Sequence, residues 1–187
     1  GGCNNAARDY YATVGGGYCN NASGHGSNVG GGFNNTASGY CATVSGGCNN
    51  IASGYYATVG GGLSSIASGH GSNVGGGCNN NLSGYSATVN GGKSNTASGA
   101  YATVSGGFNN AAYACNSSIL GGSINTICAT ATCSSIIAGA NIIALSADTA
   151  YAPRIAVNVT CVPTTSAGLG SGFFWRCADT NAIYIVP

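Results

Sequence analysis

The apolar pattern of this chain is short-ranged and recurrent. Ala12 and Val14 flank Thr13, and the same triplet returns at Ala42-Thr43-Val44, Ala57-Thr58-Val59 and Ala102-Thr103-Val104. Apolar residues on both sides of one polar residue have period two, the mark of a half-buried strand. A second apolar position lies seven residues upstream of each triplet's last member; it is Ala in seven of eight copies and Leu82 in the other. Asn, Ser and Gly fill the spaces between. The pattern therefore predicts two very short strands per unit. Gly-Gly pairs open the units at 1, 16, 31, 46, 61, 76, 91, 106 and 121, a spacing of 15 with no insertion. Ser23–Gly32 and Ser68–Gly77 are identical and 45 residues apart, which points to duplication in blocks of three units.

A 15-residue unit is too short for a pair of helices, which needs about 33 residues. Glycine at this density would also cost a helix roughly 1 kcal/mol per residue. At about 3.3 Å per residue the contour is about 50 Å, one flattened turn of a β-solenoid. The expected fold is all-β: a parallel β-roll or β-solenoid of 15-residue coils with a small C-terminal β-strand and hairpin module. Residues 1–120 hold eight repeats, 121–150 a degenerate repeat and transition, and 151–187 a strand and hairpin cap.

So narrow a coil admits only small side chains, so Val14, Val44, Val59, Val104 and the alanines are expected to face inward. Gly pairs and steps such as Ser38-Gly39 and Ser53-Gly54 supply the tight turns. Asn5, Asn20, Asn35, Asn50, Asn80, Asn95 and Asn110 share one phase, broken by Ser65, and are expected to stack as an amide ladder, each bonding the next turn. The other face carries Tyr10, Tyr11, Tyr40, Tyr55, Tyr56, Tyr85 and Tyr101 with almost no charge. A two-layer coil this thin buries little alone, and such a face is expected to be covered by another chain. An obligate oligomer follows as an expectation.

After Gly122 the pattern changes. Ile119, Ile124, Ile127, Ile136, Ile137, Ile142 and Ile143 replace Tyr and Ala, implying a wider core where chains begin to wind together. Tyr151–Val162 alternates as a half-buried strand. Phe173–Cys177 and Ile183–Val186 read as a hairpin closed by Asp179-Thr180-Asn181. Asp148, Arg154, Arg176 and Asp179 are four of the seven charged residues, as expected of a solvated end to a repeat array.

The A-T-V-G and N-N-x-A-S-G elements resemble the head repeat of trimeric autotransporter adhesins, the YadA-type or Hep/Hag motif, in which a pentapeptide and an N-x-A-x-G turn alternate every 14 or 15 residues. The resemblance covers about residues 1–120. It implies a left-handed parallel β-roll with three chains around one axis. Similar arrays occur in phage tail fibres and large-virus surface fibre proteins, and the segment VPTTSAGLGSGFFW resembles the closing segments of such fibres.

Composition excludes several classes. The 34 glycines do not recur every third residue and there are only three prolines, so the chain is not collagen. A net charge of +1 from four basic and three acidic residues excludes a nucleic-acid surface. With 44% hydrophobic and 4% charged residues, simple disorder is not expected. No apolar run approaches a membrane span. The chain opens at Gly1 without Met, as a processed product or fragment would.

Candidate chemistry is sparse. Ala87–Ser94 (ATVNGGKS) matches a loose phosphate loop, but the same stretch is a solenoid turn in every other repeat. His25 and His70 share a phase; in a trimer each could ring the axis as a metal or anion site, while the plainer reading is that His replaces Tyr in a stack. Three scattered Asp and no Glu leave no acid–base pair. Cys3, Cys48 and Cys78 lie too many coils apart for bridging; Cys161 with Cys177, and Cys115 with Cys128 or Cys133, are the candidate disulfides. Sequons begin at Asn21, Asn34, Asn81, Asn116 and Asn158. The regular rank Thr13, Thr43, Thr58, Thr88 and Thr103 suggests an ice-surface binder, but Asn28 and Asn73 interrupt it.

These readings converge on a non-enzymatic, cofactor-free surface fibre. It is expected to be a homotrimer at a virion, extracellular or cell surface. Its expected partners are itself, other virion or surface proteins, and a host glycan or receptor. The passenger head of a bacterial trimeric adhesin is the alternative.

Overall fold

A computed structural model of the chain describes residues 1–152 and two further strands, Phe174–Arg176 and Ile183–Ile185. The chain divides into two units, Gly1–Pro153 and Arg154–Pro187. The first unit is all-β, with no helix among the described residues. Its first coil carries β1 (Ala6–Ala7) and β2 (Thr13–Val14), its second β3 (Asn21–Ala22) and β4 (Asn28–Val29), and so on to β19 (Ile143–Ala144) and β20 (Ala150–Tyr151). Odd strands form one ten-stranded parallel sheet and even strands another. Register is uniform: Val14 opposes Val29, Val29 opposes Val44, and Val44 opposes Val59. A third line of single parallel bridges runs from Cys3 through Tyr18, Phe33 and Cys48 to Ala140 along the Gly-Gly turn. Ten coils at about 4.8 Å each make a rod roughly 45 Å long.

Two left-handed residues bend each coil, at its fourth and eleventh positions. In coil three they are Asn34 (φ 52°) and Cys41 (φ 50°), and in coil four Asn49 (φ 57°) and Tyr56 (φ 57°). Asn tolerates this conformation better than most residues. The paired Asn-Asn of the repeat thus divides its labour: the first bends the chain and the second enters the coil. The second-position glycines of coils one to nine have φ between 84° and 100°. A Cβ on Gly32 would run into the Gly47 carbonyl oxygen of the next coil. These glycines are required by both backbone angle and space.

A single chain encloses the core, as the narrow coil predicts. Ala22, Ala37 and Ala52 from one sheet and Val29, Val44 and Val59 from the other are fully withdrawn from solvent, and the same holds coil by coil through Ile136 and Ala144. The coil is narrow enough that two Ala and one Val fill it in coils three and four: Ala37, Ala42 and Val44, then Ala52, Ala57 and Val59. Each buried Val contributes about 1.5–3 kcal/mol.

The segment after Gly122 forms coils nine and ten of the same array. Ile119, Ile127 and Ile136 occupy the Val and Ala positions of the core, while Ile124, Ile137 and Ile143 are exposed. Isoleucine thus takes core positions that Val and Ala hold in the earlier coils. Coil nine is longer by two residues: β17 (Thr126–Ile127) pairs with β19 at a separation of 17, as Ser118 does with Ser135. The extra residues lie in the Cys128–Ser134 turn, where the Ala131 N–H donates to the Cys128 carbonyl at 2.8 Å. Tyr151 finishes coil ten. Its phenol oxygen accepts the N–H groups of Leu145 at 3.2 Å and Ser146 at 3.0 Å. The Ser146 bond holds that phenol below its ordinary pKa.

In the second unit, β21 (Phe174–Arg176) pairs antiparallel with β22 (Ile183–Ile185), with Trp175 opposite Tyr184. That is the hairpin the sequence predicts. The rest of the expected Tyr151–Val162 strand lies outside the described residues, as do Cys161 and Cys177.

Candidate functional site: an asparagine spine and an aromatic edge

The Asn phase is buried but bonds differently from a stacked amide ladder. Asn35 is fully buried. Its Nδ2 donates to the Gly31 carbonyl at 3.0 Å and to the Gly47 carbonyl at 2.8 Å. Its Oδ1 accepts the backbone N–H of Asn50 at 2.9 Å. Asn20, Asn50, Asn80, Asn95 and Asn110 repeat this set, and half-buried Asn5 begins it with the Gly1 and Gly17 carbonyls and the Asn20 N–H. The side chain thus bonds backbone, not amide. The Gly-Gly turn leaves one carbonyl and one N–H without a backbone partner; one carboxamide satisfies both and adds a second bond to the Gly47 carbonyl, which also accepts the Phe33 N–H at 2.9 Å. A true amide-to-amide bond occurs one position earlier and on the surface, from Asn34 Nδ2 to Asn49 Oδ1 at 2.8 Å. The spine also includes Asn125, which the sequence reading leaves out because the repeat looks degraded there. It ends where Asn125 Oδ1 accepts the N–H of Ile142.

Ser65 is the gap in this spine. Its hydroxyl accepts from the Asn80 N–H at 3.3 Å, but it is too short to replace the two amide donations made in other coils. Ser65→Asn is therefore expected to stabilise the array by about 1 kcal/mol by restoring those bonds. The check is thermal unfolding, with a midpoint about 3 °C higher than that of the parent chain; an unchanged or lower midpoint contradicts it.

The turn between odd and even strands forms an edge of a different character. Tyr10, His25, Tyr40, Tyr55, His70 and Tyr85 succeed one another at the tenth position of six coils. His25 and Tyr40 stack at 5.2 Å with planes 8° apart, and His70 and Tyr85 at 5.0 Å and 13°. Eleventh-position tyrosines close in edge-on: Tyr11 lies 5.5 Å from His25 at 83°, and Tyr56 lies 5.7 Å from His70 at 66°. Each imidazole therefore sits among three tyrosines, Tyr10, Tyr11 and Tyr40 for His25, and Tyr55, Tyr56 and Tyr85 for His70. The two groupings are identical and three coils apart. Both histidines replace Tyr in a stack; they lie on an outer edge of the coil. Asp9 adds a carboxylate 3.9 Å from Nδ1 of His25.

Three features make this edge the strongest candidate for contact. First, its rings are solvent-facing: Tyr11 is 84% exposed and Tyr55 60%. Second, Tyr11, Tyr56 and Tyr101 hold φ values of 57° to 59°, a costly angle for a bulky residue. Third, His25 with Tyr40 and His70 with Tyr85 stack face to face along the rod, which covers their faces and leaves their edges to solvent. Such an edge suits hydrogen bonding and side-on apolar contact better than stacking of a sugar ring on an aromatic face.

The other candidates fall into structural roles. Lys93 of the loose phosphate loop lies on the third bridge line, with Nζ 6.0 Å from the Phe108 ring, and β-structure rather than a helix follows it. Among the described residues no three His, Cys, Asp or Glu side chains cluster as for a metal, and no helix is long and apolar enough to cross a membrane. Cys115, Cys128 and Cys133 are free thiols. Thr43, Thr58, Thr88 and Thr103 line up on the even sheet but are half-buried, with Asn73 between them in register. No family model and no curated protein matches the chain.

Proposed function

We propose that this chain is a structural and adhesive surface fibre, a homotrimer that projects from a virion or phage particle and meets the host through its side. The observation that carries this reading is the aromatic edge: an almost uncharged, solvent-facing row of rings along a rigid rod of identical coils. A soluble monomer gains nothing from such a row, whereas chains packed side by side or against a host surface bury it. The self-contained core fits a shaft, because each coil is stable on its neighbours and the rod can be long without becoming wide. The chemistry sought in a partner is hydrogen bonding and apolar contact from a glycan or a protein receptor. The reading includes no catalytic step and no cofactor.

Two measurements test it. Light scattering on the purified chain should give about 54 kDa, three times 18.0 kDa, and a monodisperse monomer overturns the trimer. Gold-labelled antibody against residues 1–152 should decorate projections on intact particles; label confined to the particle interior overturns the fibre. A signal peptide and a C-terminal membrane β-barrel in the complete gene would instead place the chain in a bacterial adhesin.

A further inference from the structure

We propose that Cys115 and Cys133 are a redox-closed staple between coils eight and nine. The Cys133 N–H donates to the Cys115 carbonyl at 3.0 Å. Backbones joined in this way lie roughly 5 Å apart, inside the approximately 4.4–6.8 Å between Cα atoms that a disulfide spans. Both side chains are exposed.

The repeat shows where these side chains go. Cys115 is the tenth residue of its coil, and Cys133, with its left-handed φ of 55°, is the eleventh-position residue of the next. The same pair of positions holds Tyr40 with Tyr56 and Tyr85 with Tyr101, whose rings meet at 5.7 Å and 5.5 Å. Eleventh-position side chains also lean back toward the preceding coil: Cys41 Sγ lies 3.1 Å from where a Cβ on Gly26 would stand. Cys133 is therefore directed at the coil that carries Cys115. Cys128 is not an equal partner, because its place in coil nine matches that of Tyr113 in coil eight. Sequence spacing alone leaves Cys128 and Cys133 as alternatives; the register decides between them.

The oxidant is a small-molecule disulfide such as oxidised glutathione. One cysteine thiolate attacks it, forming a mixed disulfide and releasing one small thiol. The second thiolate displaces the other. Two protein thiols lose two protons and two electrons, and the small disulfide becomes two thiols. The staple sits where the coil lengthens by two residues, so it pins the one irregular joint in the array.

The test uses the full chain, equilibrated with oxidised glutathione and mapped by mass spectrometry. The expected product is an intramolecular Cys115–Cys133 link with loss of two hydrogens, formed equally in Cys128→Ser and absent in Cys115→Ser and Cys133→Ser. The linked chain should unfold roughly 5 °C higher than the reduced one, and dithiothreitol should reverse the shift. Glutathione retained on both cysteines, a link to another cysteine, or links only between chains overturns the proposal. If a serine variant misfolds by circular dichroism, the map of the parent chain alone decides.

Discussion

Asn35→Ala is expected to cost about 2–6 kcal/mol and to open the rod between coils three and four. Alanine leaves the carbonyl of Gly31 and the N–H of Asn50 without partners and takes one of two bonds from the Gly47 carbonyl, which keeps the Phe33 N–H. Each unsatisfied buried group costs about 1–3 kcal/mol. In a solenoid the loss is local, because each coil contacts only its neighbours. Amide hydrogen exchange should show protection collapsing first around coils three and four, with the midpoint of chemical denaturation lowered. The neighbouring Asn34→Gly keeps the left-handed bend and removes only a surface bond, so it should cost about 0.5 kcal/mol or less. A loss below about 1 kcal/mol for Asn35→Ala would mean that water or a shifted turn replaces the carboxamide.

Adjacent glycines of one pair should respond oppositely to the same substitution. Gly107→Ala is expected to destabilise by about 4 kcal/mol or more, to the point of little soluble protein. Its φ is 91°, and a Cβ there would strike the Gly122 carbonyl and stand 2.7 Å from Asn110 Nδ2. Gly106→Ala meets nothing within 4 Å. Removing a glycine where the backbone allows it stabilises by about 0.4–1 kcal/mol through the unfolded chain. Soluble yield and thermal midpoint for the two variants check this. Equal tolerance at Gly107 would show that the turn can rearrange.

Most of the fold was legible because a repeat restates its rule in every copy. The 15-residue period, the inward Ala and Val and the buried Asn phase all follow from which positions stay constant. The terminal hairpin followed from alternation around Asp179-Thr180-Asn181. What escaped was geometry that composition does not encode. Nothing in the residue types says that Asn35 reaches backbone groups rather than Asn50's amide; that depends on where the Gly turn leaves its carbonyls. Asn125 was hidden because Ile124, Ile127 and Cys128 stand where the repeat has Asn, Ala and Ser, although its own role is unchanged. The aromatic edge was half-visible: the tyrosines stood out, but the enclosure of His25 and His70 by three rings each depends on neighbouring coils meeting in register. The same register singled out Cys133 over Cys128.

Uniform register also makes length a heritable quantity with a fixed step. Coils one to eight present the same two strands and the same Gly turn to their neighbours, so within them an in-frame gain or loss of 45 base pairs adds or removes about 4.8 Å without altering any joint. The identical segments Ser23–Gly32 and Ser68–Gly77 are what unequal recombination leaves behind and what it needs to act again. A gene of this kind can change reach between generations while its protein keeps one cross-section.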